Sequence, residues 1–275
     1  MTYITADEVR NRSGAPSSLI TDAQLTEFIA QVERDMEKWI NTVFAPKSVI
    51  EVRKGNNLDY MFTRKNPLLS VRKLTNDSST VISPSTVNVH KPSGKISLTS
   101  TSEAGLFVTG EQNTFIKYLY GLLEESSTET DTTAAASIGT SVALAVTAIS
   151  GFTKSDWIEI YGMDGKREVA QINDTPTGTT IQVDELVHNH ESGSIVVLLQ
   201  IPEYIKNYML IEAAICAAIN AIGATYVFNA SYSLGDLSVT KGVPYTHWQS
   251  SVEKLYKERA MRKERIKIRP SIVVD

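Results

Sequence analysis

Cysteine is nearly absent from this chain of 275 residues, because Cys216 is its only one. A single cysteine cannot form a disulfide within the chain, which argues against the small secreted folds that disulfides hold together. Cys216 lies in a run rich in alanine and isoleucine, where cysteine usually acts as a small buried hydrophobic residue. We therefore expect a fold that is stabilised by the packing of its core.

Sequence motifs for catalysis are also missing. The chain contains no Gly-x-Ser-x-Gly elbow, no phosphate-binding Gly-x-x-x-x-Gly-Lys-Ser/Thr loop and no Gly-x-Gly-x-x-Gly fingerprint. His188 and His190 are spaced to share one face of a strand, with Asp184, Glu185 and Glu191 nearby. No third strong ligand stands at a fixed spacing, so a polar hairpin is favoured over a metal site. We predict no enzymatic activity, no cofactor and no metal.

A leader peptide or membrane segment is not indicated either. The chain starts Met-Thr-Tyr-Ile-Thr-Ala-Asp-Glu, without the basic start and apolar core of a signal peptide. Residues 208–228 are apolar enough to suggest a membrane span, but Glu212 and Asn220 interrupt them and alanine predominates. We expect a buried helix there and no membrane partner.

Charge is mild overall but uneven along the chain. The net charge of −4 does not suggest a binder of polyanions, yet residues 255–270 hold seven Lys or Arg against two Glu, an excess of +5. Lys and Arg suit the solvated end of a helix. A surface that binds nucleic acid usually adds aromatic side chains that stack on bases, and this stretch has only Tyr256. After residue 265 apolar and basic residues alternate around Pro270. This pattern predicts an extended arm that docks on a neighbouring subunit.

Four helices are predicted, a short first one, two long ones and a last one. Thr5 with Glu8 opens a short helix, and Thr21 with Gln24 makes a capping box before apolar residues at three- and four-residue spacing over 21–44. Pro202 suits the first turn of the longest helix, 202–228. A loop then leads to a last helix from about residue 246.

Short strands fill the region between these helices. Strand patterns occur at 48–53, 68–74, 86–90, 95–98 and 113–119. A low-complexity segment, 124–136, follows, and its polar part, 124–131, is predicted to be a mobile linker. Beyond it, further strand patterns at spacings typical of a small sandwich or barrel occur at 141–148, 157–161, 167–172, 179–183 and 194–199.

These patterns predict an α+β fold. Its main part is a helical domain of long helices and short strands, into which a small all-β sandwich or barrel is inserted. The expected divisions are 1–123, the first part of the helical domain; 124–200, the inserted β module; 201–265, the second part; and 266–275, the extended arm. An insertion of this kind requires that both ends leave from a surface connection.

Five short motifs stand in a fixed order along the chain. They are Ile4-Thr-Ala-Asp-Glu-Val-Arg, Ile20-Thr-Asp-Ala-Gln-Leu, Tyr118-Leu-Tyr-Gly121, Ile201-Pro-Glu-Tyr-Ile205 and Ser233-Leu-Gly-Asp-Leu-Ser-Val239. In this order they resemble motifs of the head–tail connector (adaptor) proteins of tailed bacterial viruses. The resemblance covers about residues 1–121 and 201–265. The inserted module departs from that family's usual short Gly-to-Pro connection, and it is similar to small β modules of viral structural proteins.

The resemblance implies a structural virion protein of the neck, made in the host cytoplasm. Such a protein forms a homo-oligomeric ring, usually of twelve copies, beneath the portal and joins the capsid vertex to the tail. Its implied partners are the portal protein, tail or stopper proteins of the neck, and genomic DNA passing through the channel. The inserted module would project outward towards capsid, tail or decoration proteins.

Two groups of site residues follow from the C-terminal region. The portal-docking arm, a segment that reaches into the portal in the family, is predicted at Ile266, Lys267, Ile268, Arg269, Pro270, Ile272, Val273 and Val274. Basic side chains that would face either the DNA channel or the portal are Arg259, Arg262, Lys263 and Arg265.

Two other functions stay open from sequence. The β module could serve a carbohydrate- or surface-binding structural protein through an aromatic platform of Phe152, Trp157 and Tyr161, although a module this small needs such residues in its core. An enzyme with an unrecognised carboxylate site is the third reading. Glu124, Glu125, Glu129 and Asp131 are its obvious carboxylates, but a flexible run does not hold catalytic groups rigidly.

Overall fold

A computed structural model describes residues 3–77, 80–99, 105–228, 232–234, 237–239 and 244–266. The chain divides into two compact units. The helical unit comprises Met1–Asn41 and Pro202–Pro270, and the β unit is formed by Thr42–Ile201. The predicted divisions at 123/124, 200/201 and 265/266 stay predictions, whereas the two units divide at 41/42 and 201/202.

The helical unit contains four helices and one hairpin among its described residues. The helices are α1 (Ala6–Ser13), α2 (Asp22–Ile40), α3 (Glu203–Phe228) and α4 (Pro244–Ile266). The predicted capping boxes at Thr5 and Thr21 are confirmed, and α2 ends earlier than predicted because Asn41 adopts a left-handed conformation. The predicted loop after α3 contains an antiparallel hairpin of β14 (Tyr232–Leu234) and β15 (Leu237–Val239).

Helix α3 is the apolar helix that suggested a membrane span. By length and composition alone, its Glu203–Ile222 part could cross a membrane. However, 56% of an apolar 18-residue stretch within it is buried inside the protein. Buried core helices pass the same test, so this is weak evidence for a membrane. Ile211, Ala214 and Ile215 of α3 pack with Leu255 of α4.

The β unit begins with two antiparallel sheets that share one core. The first sheet has the strand order β1-β7-β3-β4, and the second has the order β2-β6-β5. Their bounds are β1 (Lys47–Gly55), β2 (Tyr60–Phe62), β3 (Leu68–Asn76), β4 (Thr80–Ile82), β5 (Val87–His90), β6 (Lys95–Leu98) and β7 (Gly110–Tyr120). We call the four-stranded sheet the host sheet. Met61, Leu74, Ile96, Ile116 and Tyr118 are among the buried residues between the two sheets.

The rest of the β unit, residues 124–200, is the region that the sequence predicts as an inserted module, and we call it the module. Its strands are β8 (Glu124–Asp131), β9 (Gly139–Ala145), β10 (Trp157–Tyr161), β11 (Arg167–Gln171), β12 (Thr180–Leu186) and β13 (Ile195–Gln200). One sheet has the order β11-β10-β13-β8, the other pairs β12 with β9, and apolar residues of both form one core. The predicted strands from 141 to 199 are present at closely similar bounds.

The prediction of a mobile linker over residues 124–131 is wrong. Residues 124–131 form β8, which pairs antiparallel with β13. The buried Thr130 is held in this strand, while most of the acidic side chains around it point to solvent. A strand at the edge of a sheet is held by backbone hydrogen bonds to one neighbour, so a polar composition did not prevent it.

The predicted fold class is also wrong. Strands hold 38% of the described residues and helices 30%, so the described part of the chain is mainly β rather than a long-helical connector domain. Within the described residues of 42–123 the helical turns are only the short 3-10 segments Pro84–Thr86 and Lys91–Ser93. The cause is that the alternating apolar residues of this region build a sheet sandwich with its own core, instead of supporting the helices.

Candidate functional site

The best-defined polar cluster of the β unit joins the host sheet to the module. It has two parts, Arg72 with Glu168 and His190, and Lys91 with Glu159 and Arg167, which together we call the junction network. Glu159 and Glu168 are completely buried, on the neighbouring strands β10 and β11. Since a buried carboxylate is costly without partners, their hydrogen bonds decide what the cluster does.

Glu168 is the centre of the network. Its carboxylate accepts backbone N–H groups from Val187 at 2.8 Å and His188 at 3.1 Å. It also lies 2.6 Å from Nε2 of His190. Because a carboxylate can only accept hydrogen bonds, the Nε2–H group of His190 is the donor of this one. These bonds tie β11 to the segment that follows β12.

Arg72 brings the host sheet into the same network. It lies on β3, and only 8% of its surface is exposed. Its guanidinium donates to the carbonyl oxygens of Val169 at 2.7 Å and Glu185 at 3.1 Å. It also lies 3.8 Å from the carboxylate of Glu168. One buried cation therefore links a host strand to two segments of the module.

Glu159 is held by two other cations. Lys91, from the 3-10 turn after β5, contacts one carboxylate oxygen, and Nε of Arg167 donates to the other at 3.0 Å. The guanidinium of Arg167 stacks 4.2 Å from the ring centre of Tyr161 and reaches Glu125 at 3.1 Å. Burial, followed by the hydrogen bond to Glu125, raises the pKa of Tyr161.

Apolar packing accompanies these charges at the same junction. Leu69 and Leu119 of the host sheet pack with Trp157, Val169 and Leu199 of the module. A buried tryptophan of this kind supplies a large share of the apolar area between two layers. The module is therefore joined to the host sheet by both polar and apolar contacts.

The neighbouring side chains of His188 and His190 are both buried. Nδ1 of His190 and Nδ1 of His188 are buried without a hydrogen-bond partner. Among the described residues, no group of three or more His, Cys, Asp or Glu is arranged to hold a metal. Burial lowers the pKa of His188, against the opposing influence of Glu168; His190 and Lys166 lower it further and Asp164 raises it.

The lowered pKa of His188 predicts a loss of stability in mild acid. Below about pH 6.5 the unfolded chain takes up a proton that the folded chain does not, so the free energy of unfolding falls, by up to about 1.4 kcal/mol per pH unit. Urea unfolding measured between about pH 7 and 5.5 should show a smaller fall for His188→Asn than for the unchanged protein. His90→Asn, at an exposed strand position, is the matched control. An equal fall in both variants would contradict the prediction.

The basic residues predicted from sequence have partners within the helical unit. Arg259 lies 3.3 Å from Glu212, and Arg262 forms an (i, i+4) pair with Glu258 at 3.0 Å. Lys263 lies 5.7 Å from the ring centre of Trp39. The side chain of Arg265 lies outside the described residues. Whether these residues face DNA or a portal stays a prediction.

The predicted docking arm is mostly outside the described residues. Ile266 is the last residue of α4 and is half-buried. The other arm residues are Lys267, Ile268, Arg269, Pro270, Ile272, Val273 and Val274, all outside the described part of the chain.

The aromatic platform considered for a surface-binding module is not formed as a platform. Phe152 is 5% exposed and Trp157 is 9% exposed, so both belong to the core. Tyr161 is partly exposed but is covered on one side by Arg167.

Sequence reasoning missed the junction network. Glu159 stands within a short apolar strand, which is a signal for a paired buried charge, but nothing in the local pattern identifies Arg72 or Lys91 as partners of the network. The comparisons with known proteins supply no further guide, since neither the family models nor the curated proteins give a match.

Proposed function

We propose that this chain is a non-catalytic structural protein of the virion neck, a head–tail connector that forms a ring beneath the portal. The ordered motifs of residues 1–121 and 201–265 support this proposal. It does not depend on the helical framework expected at first, which the mainly β structure replaces.

The observation that carries the non-catalytic part of the proposal is the use of buried charge. All the buried carboxylates among the described residues, Glu51, Asp156, Glu159 and Glu168, accept hydrogen bonds from groups within the β unit. Three of them also have a cation within 4.0 Å. Such carboxylates stabilise a rigid shape, whereas a general acid or base needs a group whose proton is free to move.

The surface-binding alternative receives no comparable support. Its three aromatic side chains are either in the core or stacked under a guanidinium, as described above. We therefore propose only the connector function.

The experiment is to mix the purified full chain with the portal ring encoded in the same viral genome. We expect a ring of this chain on one end of the portal, seen by electron microscopy and by mass. A variant that ends at Arg265 should bind the portal at least about tenfold more weakly. Lys257→Ala, at an exposed position of α4, is the control that keeps the arm.

Absence of any complex with the portal ring would contradict the proposed function. Equal binding by the shortened and full chains would contradict the docking arm alone.

A further inference from the structure

Part of the host-sheet face that carries Leu119 is open to solvent and holds an unusual set of side chains. Val52, Phe115, Thr75 and Val81 lie opposite one another across β1, β7, β3 and β4. Val52 is 48% exposed and Val81 is 66% exposed. Neighbouring positions on one face of a sheet act together, so these side chains form a continuous stripe.

A second row beside this stripe is cationic. Ile50 lies opposite Lys117, and Lys117 lies opposite Lys73. Ile50 is 57% exposed. No carboxylate lies within salt-bridge distance of either lysine among the described residues. We call these two rows together the open face.

The opposed side chains of Lys73 and Lys117 by themselves lower the stability of the sheet. Like charges directly opposite each other on adjacent strands destabilise a sheet. Here Lys73 and Lys117 stand beside exposed apolar side chains rather than beside carboxylates. An arrangement of this kind is expected where an anionic and partly apolar partner docks.

The module carries a surface of the complementary kind. Glu129 and Asp131 point to solvent from β8, two residues apart and therefore on one side of the strand. Among the described residues no cation lies within salt-bridge distance of either. Ile195, which pairs with Asp131, is 42% exposed. This surface, Glu129, Asp131 and Ile195, we call the acidic face.

We propose that the open face of one copy docks on the acidic face of a second copy. This inference rests on the proposed function, because a contact between two different faces repeats from copy to copy and can close into a ring. Contacts between two open faces or two acidic faces would bring like charges together. The same charges therefore favour the unlike pairing and disfavour the two like pairings.

Charge reversal with mixing tests the proposal. One variant carries Lys73→Glu and Lys117→Glu, and the other carries Glu129→Lys and Asp131→Lys. Sedimentation velocity of the full chain at low salt should show concentration-dependent association. Each variant alone should associate at least about tenfold more weakly. An equimolar mixture should recover association, because each variant then offers a face that complements the other.

The matched control is Arg34→Glu with Lys38→Glu, which makes the same change in charge at exposed positions of α2. It should associate as the unchanged protein does. Circular dichroism and thermal unfolding of all variants establish that they fold.

Several outcomes would overturn the proposal. These are an unchanged protein that stays monomeric over the whole concentration range, reversed variants that associate normally, and a mixture that does not recover. Loss of portal binding in the lysine variant without loss of self-association would assign the open face to the portal instead. Portal binding is measured in a separate experiment. If the mixture recovers association between copies but portal binding is absent, the proposed function is contradicted, whereas the contact between the open face and the acidic face is supported.

Discussion

Replacing Arg72 with methionine is expected to lower the free energy of unfolding of the β unit by about 3–5 kcal/mol. The substitution keeps a long apolar stem but removes the cation beside Glu168, and it leaves the carbonyl oxygens of Val169 and Glu185 without that donor. Breaking a buried pair from one side is costly because the remaining charge stays out of water. Urea unfolding followed by circular dichroism measures the loss.

The control for Arg72 is its neighbour on the same strand. Lys73→Ala changes an exposed side chain and should alter stability by less than about 0.5 kcal/mol. Glu168→Gln should also cost less in the Arg72→Met protein than in the unchanged one, since the pair is already broken. Equal stability of Arg72→Met and Lys73→Ala would contradict a structural role for the network.

Replacing Trp157 with alanine is expected to cost about 3–5 kcal/mol. The side chain fills the space between Leu69 and Leu119 of the host sheet and Leu199 of the module, so its removal leaves a cavity at the junction. The loss should appear as a single cooperative transition at lower denaturant concentration, because both layers lose the same contact. Thermal and urea unfolding provide the measurement.

Met163→Ala is the matched control for Trp157. Met163 lies in the turn after β10 and is 71% exposed, so its truncation should leave stability within about 0.5 kcal/mol of the unchanged protein. A Trp157→Ala protein as stable as this control would show that the junction contributes little.

The local structure of this chain was largely predictable. The spacing of Thr21 and Gln24 predicts a helix start that the structure confirms. The run Trp157-Ile-Glu-Ile-Tyr161 predicts a strand, which the structure confirms as β10. Both depend on residues within a few positions, where propensity and capping chemistry decide the outcome.

The tertiary arrangement was not predictable in the same way. Arg72 contacts the carbonyl oxygen of Val169, 97 positions away in sequence, and no local pattern identifies such a partner. The composition of residues 124–131 predicts a linker, yet pairing with β13 makes them a strand. Tertiary context overrides local composition in both cases.

The error in fold class has the same origin. Long amphipathic helices give strong signals in sequence, whereas short strands give weak ones that are separated by turns. Each strand of 47–120 looks like an accessory to the helices when taken singly. Only their pairing into two sheets with a shared core shows that this region is a body of its own.

The central physical claim is that the host sheet and the inserted module are one cooperative body, held together by Arg72 and the apolar cluster around Trp157. Native-state hydrogen exchange of the full chain tests this most directly. Amides of β3 and β7 should share one opening free energy with those of β10 and β13, and Arg72→Met should lower both by the same amount. Module amides that keep their protection while those of the host sheet lose it would contradict the claim.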